Sequence, residues 1–476
     1  MQLLVGDVFR RAAASRPGVV AARLGAGTLT FGDLDAAGNR FAHVLVDEGV
    51  THGERVVWQG ETSLDVLPLF VALARIGAVF APVNPALGQA ETDEILALAR
   101  PVLTLRPDDL LALGRRASAA PVVEIDDPGL REDDAHVVFF TSGSTGRPKG
   151  VVLSHRVNLL RTFPSTMPPP GTGTVCMFPL FHMAGWSIAL GCWQARLPVT
   201  FVERADAESL LRAVETSRAS RLYAIPAVWE RILAADRSRY DLSRLEECDT
   251  GTSATPPELL AAIKDAFPGT RTRVFYGSTE AGPGTVLADA DLDARPGSAG
   301  QPATGVEVRL GEDGEVLLRS PYLMSGYFDD PVATTAALAG GWYHTGDLGV
   351  LDDDGYLSIT GRVREVIRTG GETVAPAEVE VIVAAHPAVA EAAVIGVPDP
   401  TWGEVVCAVV VPKEGASVDL ETLRDHCEMH LAPYKVPRRL VTVDALPRTP
   451  ATGQVQRTLV ADLVARESSE AVTRES

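Results

Sequence analysis

The 476-residue chain reads as an α/β protein: two α/β subdomains, then a β-rich lobe, then a small α+β domain at the C-terminal end. Three features predict this. From residue 31 to about 125, helical patterns such as FGDLDAAGNRFAHVLVDEG alternate with short β-branched runs such as ERVVWQG and AVFAPVN, the alternation that builds a largely parallel sheet. A second such cycle starts near Ala135 and runs through FVERADAESLLRAVETSRASRLYAIPAVWERILAA to the Gly/Thr-rich stretch Thr250 to Thr255. From Gly297 to Thr360 the texture changes to short alternating strands separated by turn pairs, in GEDGEV and LDDDGYL.

Taken in order, the opening MQLLVGDVFRRAAASRPG holds too short an apolar run for an export signal and predicts a short amphipathic helix. Val137 to Phe140 form a buried-strand pattern that feeds a Gly/Ser/Thr loop. After GRVREVIRTGGE the chain returns to helix and strand in EVEVIVAAHP, EAAVIGVPD and EVVCAVVVPK, and the Ser-, Glu- and Arg-rich end is expected to fray. No repeat of fixed period is present.

Hydrophobic residues make up 46% and charged residues 22%, a soluble globular balance that excludes disordered, collagenous and coiled-coil classes. Acidic residues number 62 against 43 basic ones, for a formal charge of −19, so the field repels phosphate backbones and general nucleic-acid binding is not expected. Five cysteines, Cys176, Cys192, Cys248, Cys407 and Cys427, are scattered and never spaced as CxxC, which argues for a reducing compartment and against a zinc site or disulfide framework. No run approaches the ~18 apolar residues a membrane-spanning helix needs. A cytoplasmic protein is expected. Only Lys149, Lys264, Lys413 and Lys435 are lysines, arginine supplying the other basic residues, so each lysine draws notice.

The most specific segment is VVFFTSGSTGRPKGVVLSH, in which the strand runs into Thr141-Ser142-Gly143-Ser144-Thr145-Gly146-Arg147-Pro148-Lys149-Gly150. Small residues let backbone N–H groups close around an anion, hydroxyls add donors, and Lys149 supplies a point charge. This is a phosphate cradle. It is not a Walker A loop, since Pro148 precedes the lysine and Gly150 follows it.

With that loop the sequence resembles the adenylate-forming superfamily of acyl-CoA synthetases, luciferases and adenylation domains, and the resemblance continues in order over nearly the whole chain. Phe178-Pro-Leu-Phe-His182-Met-Ala-Gly-Trp186 is similar to the segment whose aromatic or His residue gates the carboxylate pocket. In Tyr276-Gly277-Ser278-Thr279-Glu280 the resemblance implies that Tyr276 stacks on adenine, Thr279 contacts the α-phosphate and Glu280 holds Mg²⁺. Tyr343-His344-Thr345-Gly346-Asp347 resembles the motif whose Asp binds both ribose hydroxyls. Gly361-Arg362 resembles the opening of the linker to a mobile C-terminal domain, with Arg362 a second ribose contact. The implied division is an N-terminal AMP-binding domain over residues 1–361 and a mobile domain over 362–476. Gly370-Gly371-Glu372 resembles the loop lining the pantetheine channel. Gly251 and Thr252, in the loop Thr250 to Thr255, join the nucleotide and acyl site by the same resemblance. Each residue alone has a plainer reading, Asp347 as a turn residue and Tyr276 as a core aromatic; their co-occurrence in order sets those readings aside.

The resemblance implies ATP, Mg²⁺ and CoA as co-substrates: an acid attacks the α-phosphate to give acyl-AMP and pyrophosphate, and a thiol displaces AMP. Mg²⁺ on Glu280 together with Lys149 shares the neutralisation of the polyphosphate. The expected acid is small or aromatic, with Trp186, Tyr223, Thr252 and Ser253 near its tail. The segment after Phe181 has no Asp or Glu to hold an α-ammonium, so an amino acid is not expected.

Departures from the family pattern are as informative. Leu446-Pro-Arg448-Thr-Pro450-Ala-Thr-Gly453-Gln454-Val-Gln-Arg457 carries an extra residue, and Gln454 stands where the family has the lysine that bridges acid and α-phosphate. A neutral amide opposes gathering negative charge far less than an ammonium does. Three accounts stay open: another charge such as Arg457 serves, the protein does not adenylate, or the substrate does not need the lysine. At the hinge, Arg364 stands where Asp or Lys is usual. Thr252 and Ser253 are bulkier than the usual Gly-Gly-Ala-Pro and narrow and polarise the acyl pocket. Besides CoA transfer, the alternatives are delivery to a carrier-protein thiol, diazotase-like activation of nitrite for an aryl amine in secondary metabolism, and a nucleotide-binding relative that no longer adenylates.

Overall fold

A computed structural model describes residues 2–474 except 126, 143–147, 164–171, 364, 370–371 and 450–452; at 142, 373 and 468–474 only the backbone is described. The chain forms two compact units, residues 1–308 with 318–344, and residues 309–317 with 345–476.

The first unit holds two sheets. Nine described strands make one, in the order Gln301–Pro302, Gly282–Leu287, Arg271–Ser278, Glu247–Gly251, Arg221–Tyr223, Thr174–Cys176, Val199–Phe201, Val20–Leu24, Gly27–Thr30. Its middle is parallel, from Arg271–Ser278 across to Val20–Leu24. The other sheet has six described strands, ordered Gly326–Tyr327, Pro148–Ser154, Ala135–Ser142, Val79–Val83, Arg55–Gln59, Leu103–Leu105. The two α/β cycles of the sequence are thus redistributed: the six-stranded sheet takes the first cycle with the first two strands of the second, Ala135–Ser142 and Pro148–Ser154, and the nine-stranded sheet takes the rest of the second with Val20–Leu24 and Gly27–Thr30. The β-rich stretch forms, as its texture predicts, a sheet of four described strands ordered Glu307–Leu310, Glu315–Arg319, Tyr343–Leu351, Leu357–Arg362; only two two-residue strands leave it, Gln301–Pro302 pairing with Gly282–Leu287 and Gly326–Tyr327 with Pro148–Ser154. Short strands read alike in sequence whether they form their own sheet or finish the edge of another.

Helix Val66–Ile76 is apolar except for Arg75, which pairs with Asp35, and all eleven of its residues are buried. Gly77 ends it at φ 70°, a left-handed conformation that a side chain resists. Phe70 on this helix stacks on Trp186 at 4.1 Å and meets Phe9, Phe80 and His136 edge-on. Helix Phe31–Asp47 starts at a capping box in which Thr30 and Asp33 satisfy each other's backbone N–H groups.

Under this aromatic cluster His136 and His155 lie side by side, ring centroids 4.7 Å apart, both fully buried. Asn158 donates to His136 Nδ1 at 3.1 Å, and Val5 N donates to His155 Nδ1 at 3.2 Å, so both rings are held neutral as acceptors. Burial holds His136 well below the ordinary imidazole value and His155 at about 4. An unfolded chain takes up these protons near pH 6.5, the folded one that of His155 only near pH 4 and that of His136 only well below its ordinary value. Stability is therefore full above pH 6.5 and is lost as pH falls toward 4, by ~1.4 kcal/mol per pH unit for each proton taken up. Urea midpoints measured between pH 7 and 4.5 should fall steeply, and His155→Gln should flatten the slope; an unchanged slope would refute this account of acid sensitivity.

In the second unit, strands Glu372–Val374, Ile367–Thr369, Gly403–Pro412 and Val389–Asp399 form a sheet, with Arg439–Thr442 paired parallel to Gly403–Pro412. Alternation along Gly403–Pro412 sends Val406, Ala408 and Val410 to one face, against helices Pro376–Ala384 and Leu420–Glu428. Cys407 and Val409 face the other way, against Val460 and Val464 of helix Arg457–Arg474. All five cysteines are buried and free.

Candidate active site

The glycine-rich loop joins two antiparallel strands, Ala135–Ser142 and Pro148–Ser154, with Thr141 opposite Lys149. Gly143, Ser144, Thr145 and Gly146 lie outside the described residues, as does the side chain of Ser142. A Cβ on Gly150 would lie 2.9 Å from Val138 Cγ1 and 3.0 Å from Phe328 Cβ, so only glycine lets the segment after Gly326–Tyr327 close over this strand. That closure brings Tyr327 beneath the lysine: Lys149 Nζ lies 4.5 Å from its ring centroid. The Tyr327 hydroxyl in turn donates to Glu280 Oε1 at 3.3 Å. Lys149 and Glu280, far apart in sequence, thus share one tyrosine.

Tyr276 to Glu280 end the strand Arg271–Ser278 and turn into Gly282–Leu287, with an irregular register at Tyr276/Gly277. A Cβ on Gly277 would meet the Gly282 carbonyl oxygen at 2.2 Å, which makes glycine obligatory there. Ser278 Oγ accepts from Ala281 N at 3.0 Å and tightens the turn. Met324 N donates to the Glu280 carbonyl at 2.7 Å. Beneath the turn Arg161, 6% exposed, donates from Nη1 to the Thr279 carbonyl at 3.0 Å and from Nη2 to the Tyr322 carbonyl. Burial pulls this guanidinium down to about 9, with Glu280 opposing the shift. Sequence reading missed Arg161 and Tyr327. Neither belongs to the motifs quoted above, and both contacts depend on the Tyr322–Tyr327 segment reaching distant strands.

His182 caps helix Met183–Gln194, its Nδ1 accepting from Ala184 N at 3.2 Å. Its ring stacks on Phe178 with centroids 5.6 Å apart, Phe178 meets Tyr223 at 5.5 Å, and Tyr223 meets Phe275 at 5.9 Å. Burial lowers His182 to about 4 and raises Tyr223, so both are neutral at pH 7. Trp186 departs from the expectation that it lies at the acid's tail: its ring is stacked on Phe70 and its N–H donates to the Leu180 carbonyl, so it is committed to the core. Gly251, at φ 152°, lies so close to Phe275 and Tyr223 that a Cβ would sit 2.2 Å from the Phe275 carbonyl oxygen and 2.6 Å from Tyr223 Oη. Thr252 follows at φ 69°, a left-handed conformation strained for a β-branched residue. The strand leading there is pinned by buried Glu247 and Asp249. Arg221 pairs with both, at 2.7 and 3.0 Å, and Arg273 with both at 2.9 Å.

In the second unit Asp347 and Arg362 stand opposite each other across two antiparallel strands, Tyr343–Leu351 and Leu357–Arg362. Arg362 Nε lies 2.9 Å from Asp347 Oδ1, and the carboxylate is largely buried while the guanidinium is exposed. Glu372 is exposed at the end of its strand; Gly370, Gly371 and Arg364 lie outside the described residues. Gln454 is exposed, its backbone carbonyl accepting from Thr449 N at 2.8 Å. Arg457 is already engaged, donating to Glu365 at 2.7 Å and to Glu380 at 2.9 Å. Burial opposes its charge but the two carboxylates win, and its affinity for the proton is raised.

Comparison with known proteins fits this geometry. Residues 9–328 match the family described as AMP-binding enzyme, and residues 378–452 match the AMP-binding enzyme C-terminal domain. The chain is 36% identical over 469 residues to a feruloyl-CoA synthase of an Amycolatopsis species, covering 92% of this chain and 95% of the relative. It is 33% identical over 504 residues to an indoleacetate–CoA ligase of Aromatoleum aromaticum, covering 96% and 98%. The fold superimposes with a TM-score of 0.87 and 26% identity on the anthranilate CoA ligase AuaEII in complex with anthranoyl-AMP, covering 98% of each chain. Among the described residues no helix is long and apolar enough to cross a membrane. The chain belongs to the AMP-binding enzyme family and is an adenylate-forming ligase of the acyl-CoA synthetase kind.

Proposed function

We propose that this enzyme activates a small or aromatic carboxylic acid as acyl-AMP and passes the acyl group to CoA. The observation that carries the reading is the Lys149–Tyr327–Glu280 arrangement beside the glycine-rich loop, a cation and a carboxylate held apart on one tyrosine. Lys149 and the Thr141 to Gly146 loop serve the phosphates. Tyr276, Gly277 and Ser278 bound the adenine, Thr279 the α-phosphate, and Asp347 with Arg362 the ribose. Gly370, Gly371 and Glu372 contact pantetheine. The moving domain begins at Arg362, so the division at 361/362 is part of the proposal.

Magnesium fits the donor set. Glu280 offers a hard carboxylate oxygen, and Mg²⁺ takes one or two carboxylates plus substrate phosphates. Among the described residues no group of three or more His, Cys, Asp or Glu forms a separate metal cage. When bound, the ion neutralises polyphosphate charge; the chain's residues orient the nucleotide and the acid.

The neutral aromatic wall of His182, Phe178, Tyr223 and Phe275 favours a flat acid, and the relatives' names, feruloyl-CoA synthase and indoleacetate–CoA ligase, point the same way. Gln454 supports a second reading, in which a carrier-protein thiol or an aryl amine replaces CoA, with nitrite as the acid in the amine case, or adenylation is lost. One assay separates them: pyrophosphate release over a panel of aryl, aryl-acrylic and short aliphatic acids and nitrite, each with CoA, with aniline or without acceptor. Aryl-acid-dependent release with thioester formation is expected. Release with nitrite and aniline alone would move the enzyme to the diazotase reading, and ATP binding without release under any condition would make it a non-adenylating relative.

A further inference from the structure

Tyr327 stands between the two charged groups of the site. Its π face carries the Lys149 ammonium at 4.5 Å while its hydroxyl serves Glu280 at 3.3 Å. Among the described residues no ion pair joins Lys149 directly to Glu280, although both reach the same ring. Tyr327 is itself held from several directions. It pairs with Val151 across the strand, its N–H donates to Thr334 Oγ1 at 2.8 Å, and Phe328 N donates to the Gly150 carbonyl at 2.7 Å. The segment before it is stitched to the Thr279–Glu280 turn by Met324 N and by the two carbonyl bonds of buried Arg161. A buried guanidinium is costly to hold charged, and here it spends its donors on two backbone carbonyls, joining the two segments that position Tyr327 against Glu280.

We propose that Tyr327 is a positioning residue that keeps Lys149 and Glu280 from collapsing into a direct ion pair, so that each meets the nucleotide with its charge unspent. A lysine stem is long and flexible enough to find a nearby carboxylate unless something holds it elsewhere. The inference rests on the proposed assignment of Lys149 to the phosphates and Glu280 to Mg²⁺.

Two variants separate the two contacts. Tyr327→Phe keeps the ring and loses the hydroxyl; Tyr327→Leu loses both. The first readout needs no activity: peptide-resolved acetylation of the free protein, with Lys264 and Lys413 as internal references. Lys149 labelling should be unchanged in Tyr327→Phe, should fall about 2–5-fold in Tyr327→Leu as the ammonium turns to Glu280, and should recover when Glu280→Gln is added. The second readout is pyrophosphate release. Tyr327→Phe should raise the Mg²⁺ needed for half-maximal rate about 3–10-fold with little change in kcat, while Tyr327→Leu should also lower kcat about 10-fold or more at saturating Mg²⁺. Labelling of Lys149 that is the same in wild type and Tyr327→Leu, or equal loss of activity in both variants with no shift in Mg²⁺ dependence, would overturn the proposal. Absence of pyrophosphate release by the wild type with every acid would refute the adenylation reading, and the labelling pattern would still decide the role of Tyr327.

Discussion

Glu280→Gln should lower acid-dependent pyrophosphate release on the order of 10²–10³-fold, with no recovery at high magnesium. The substitution is nearly isosteric and isolates charge. Tyr327 donates to a side-chain oxygen of Glu280, which the amide retains, and the turn itself is held through backbone carbonyls by Met324 and Arg161. Thermal melting should therefore stay close to that of the wild type while the chemistry is lost. The comparison variant is Glu280→Asp, which keeps the charge on a shorter stem and should recover part of the rate at raised Mg²⁺. Near-normal turnover in Glu280→Gln would remove this carboxylate from the reaction.

Gln454→Lys should raise the rate of acyl-AMP formation about 10-fold or more, and leave transfer from preformed acyl-AMP to CoA unchanged. The position tolerates the change, because Gln454 is exposed and the local turn is held by backbone bonds, Thr449 N to the Gln454 carbonyl and Gly453 N to the Thr449 carbonyl. Arg448 braces the same turn, donating to the Gly453 carbonyl at 2.8 Å and to Glu391 at 2.7 Å. Arg457, the neighbouring cation that sequence reading offered as a substitute, is bound to Glu365 and Glu380, so its charge is already matched. A new ammonium would be the first unmatched cation offered by this turn. Rapid-quench measurement of acyl-AMP gives the rate, and no gain would show that the charge at this position does not limit adenylation.

Much of this site is written in local motifs, and the parts that escaped are non-local. Asp347 and Arg362 sit in separate motifs of the sequence, and the structure sets them opposite each other across one strand pair. Gly150, Gly277 and Gly251 were legible as members of small-residue runs, but the reason each must be glycine, a carbonyl or side chain within 3 Å, appears only when strands distant in sequence are paired. Tyr327 reads in sequence as one aromatic in SGYFDD, and nothing local says that it reaches Glu280 across 47 positions. Arg161 reaches Thr279 across 118. Trp186 misled for the complementary reason: it sits about one helical turn from His182 in a motif assigned to the acid, yet an indole with an apolar helix beside it is better stabilised by stacking on Phe70 than by lining a pocket. The four-stranded sheet of the β-rich stretch was legible, but not the departure of Gln301–Pro302 and Gly326–Tyr327 to other sheets, since edge strands of two residues carry no pattern.

The most direct test of adenylation is the fate of oxygen. An aryl acid labelled with ¹⁸O in both carboxylate oxygens is incubated with the enzyme, ATP, Mg²⁺ and CoA, and the products are analysed by mass spectrometry. If the carboxylate attacks the α-phosphorus and the thiol then breaks the acyl C–O bond, AMP carries one ¹⁸O and pyrophosphate none. Label in orthophosphate or ADP, or AMP formed without label, would contradict the account.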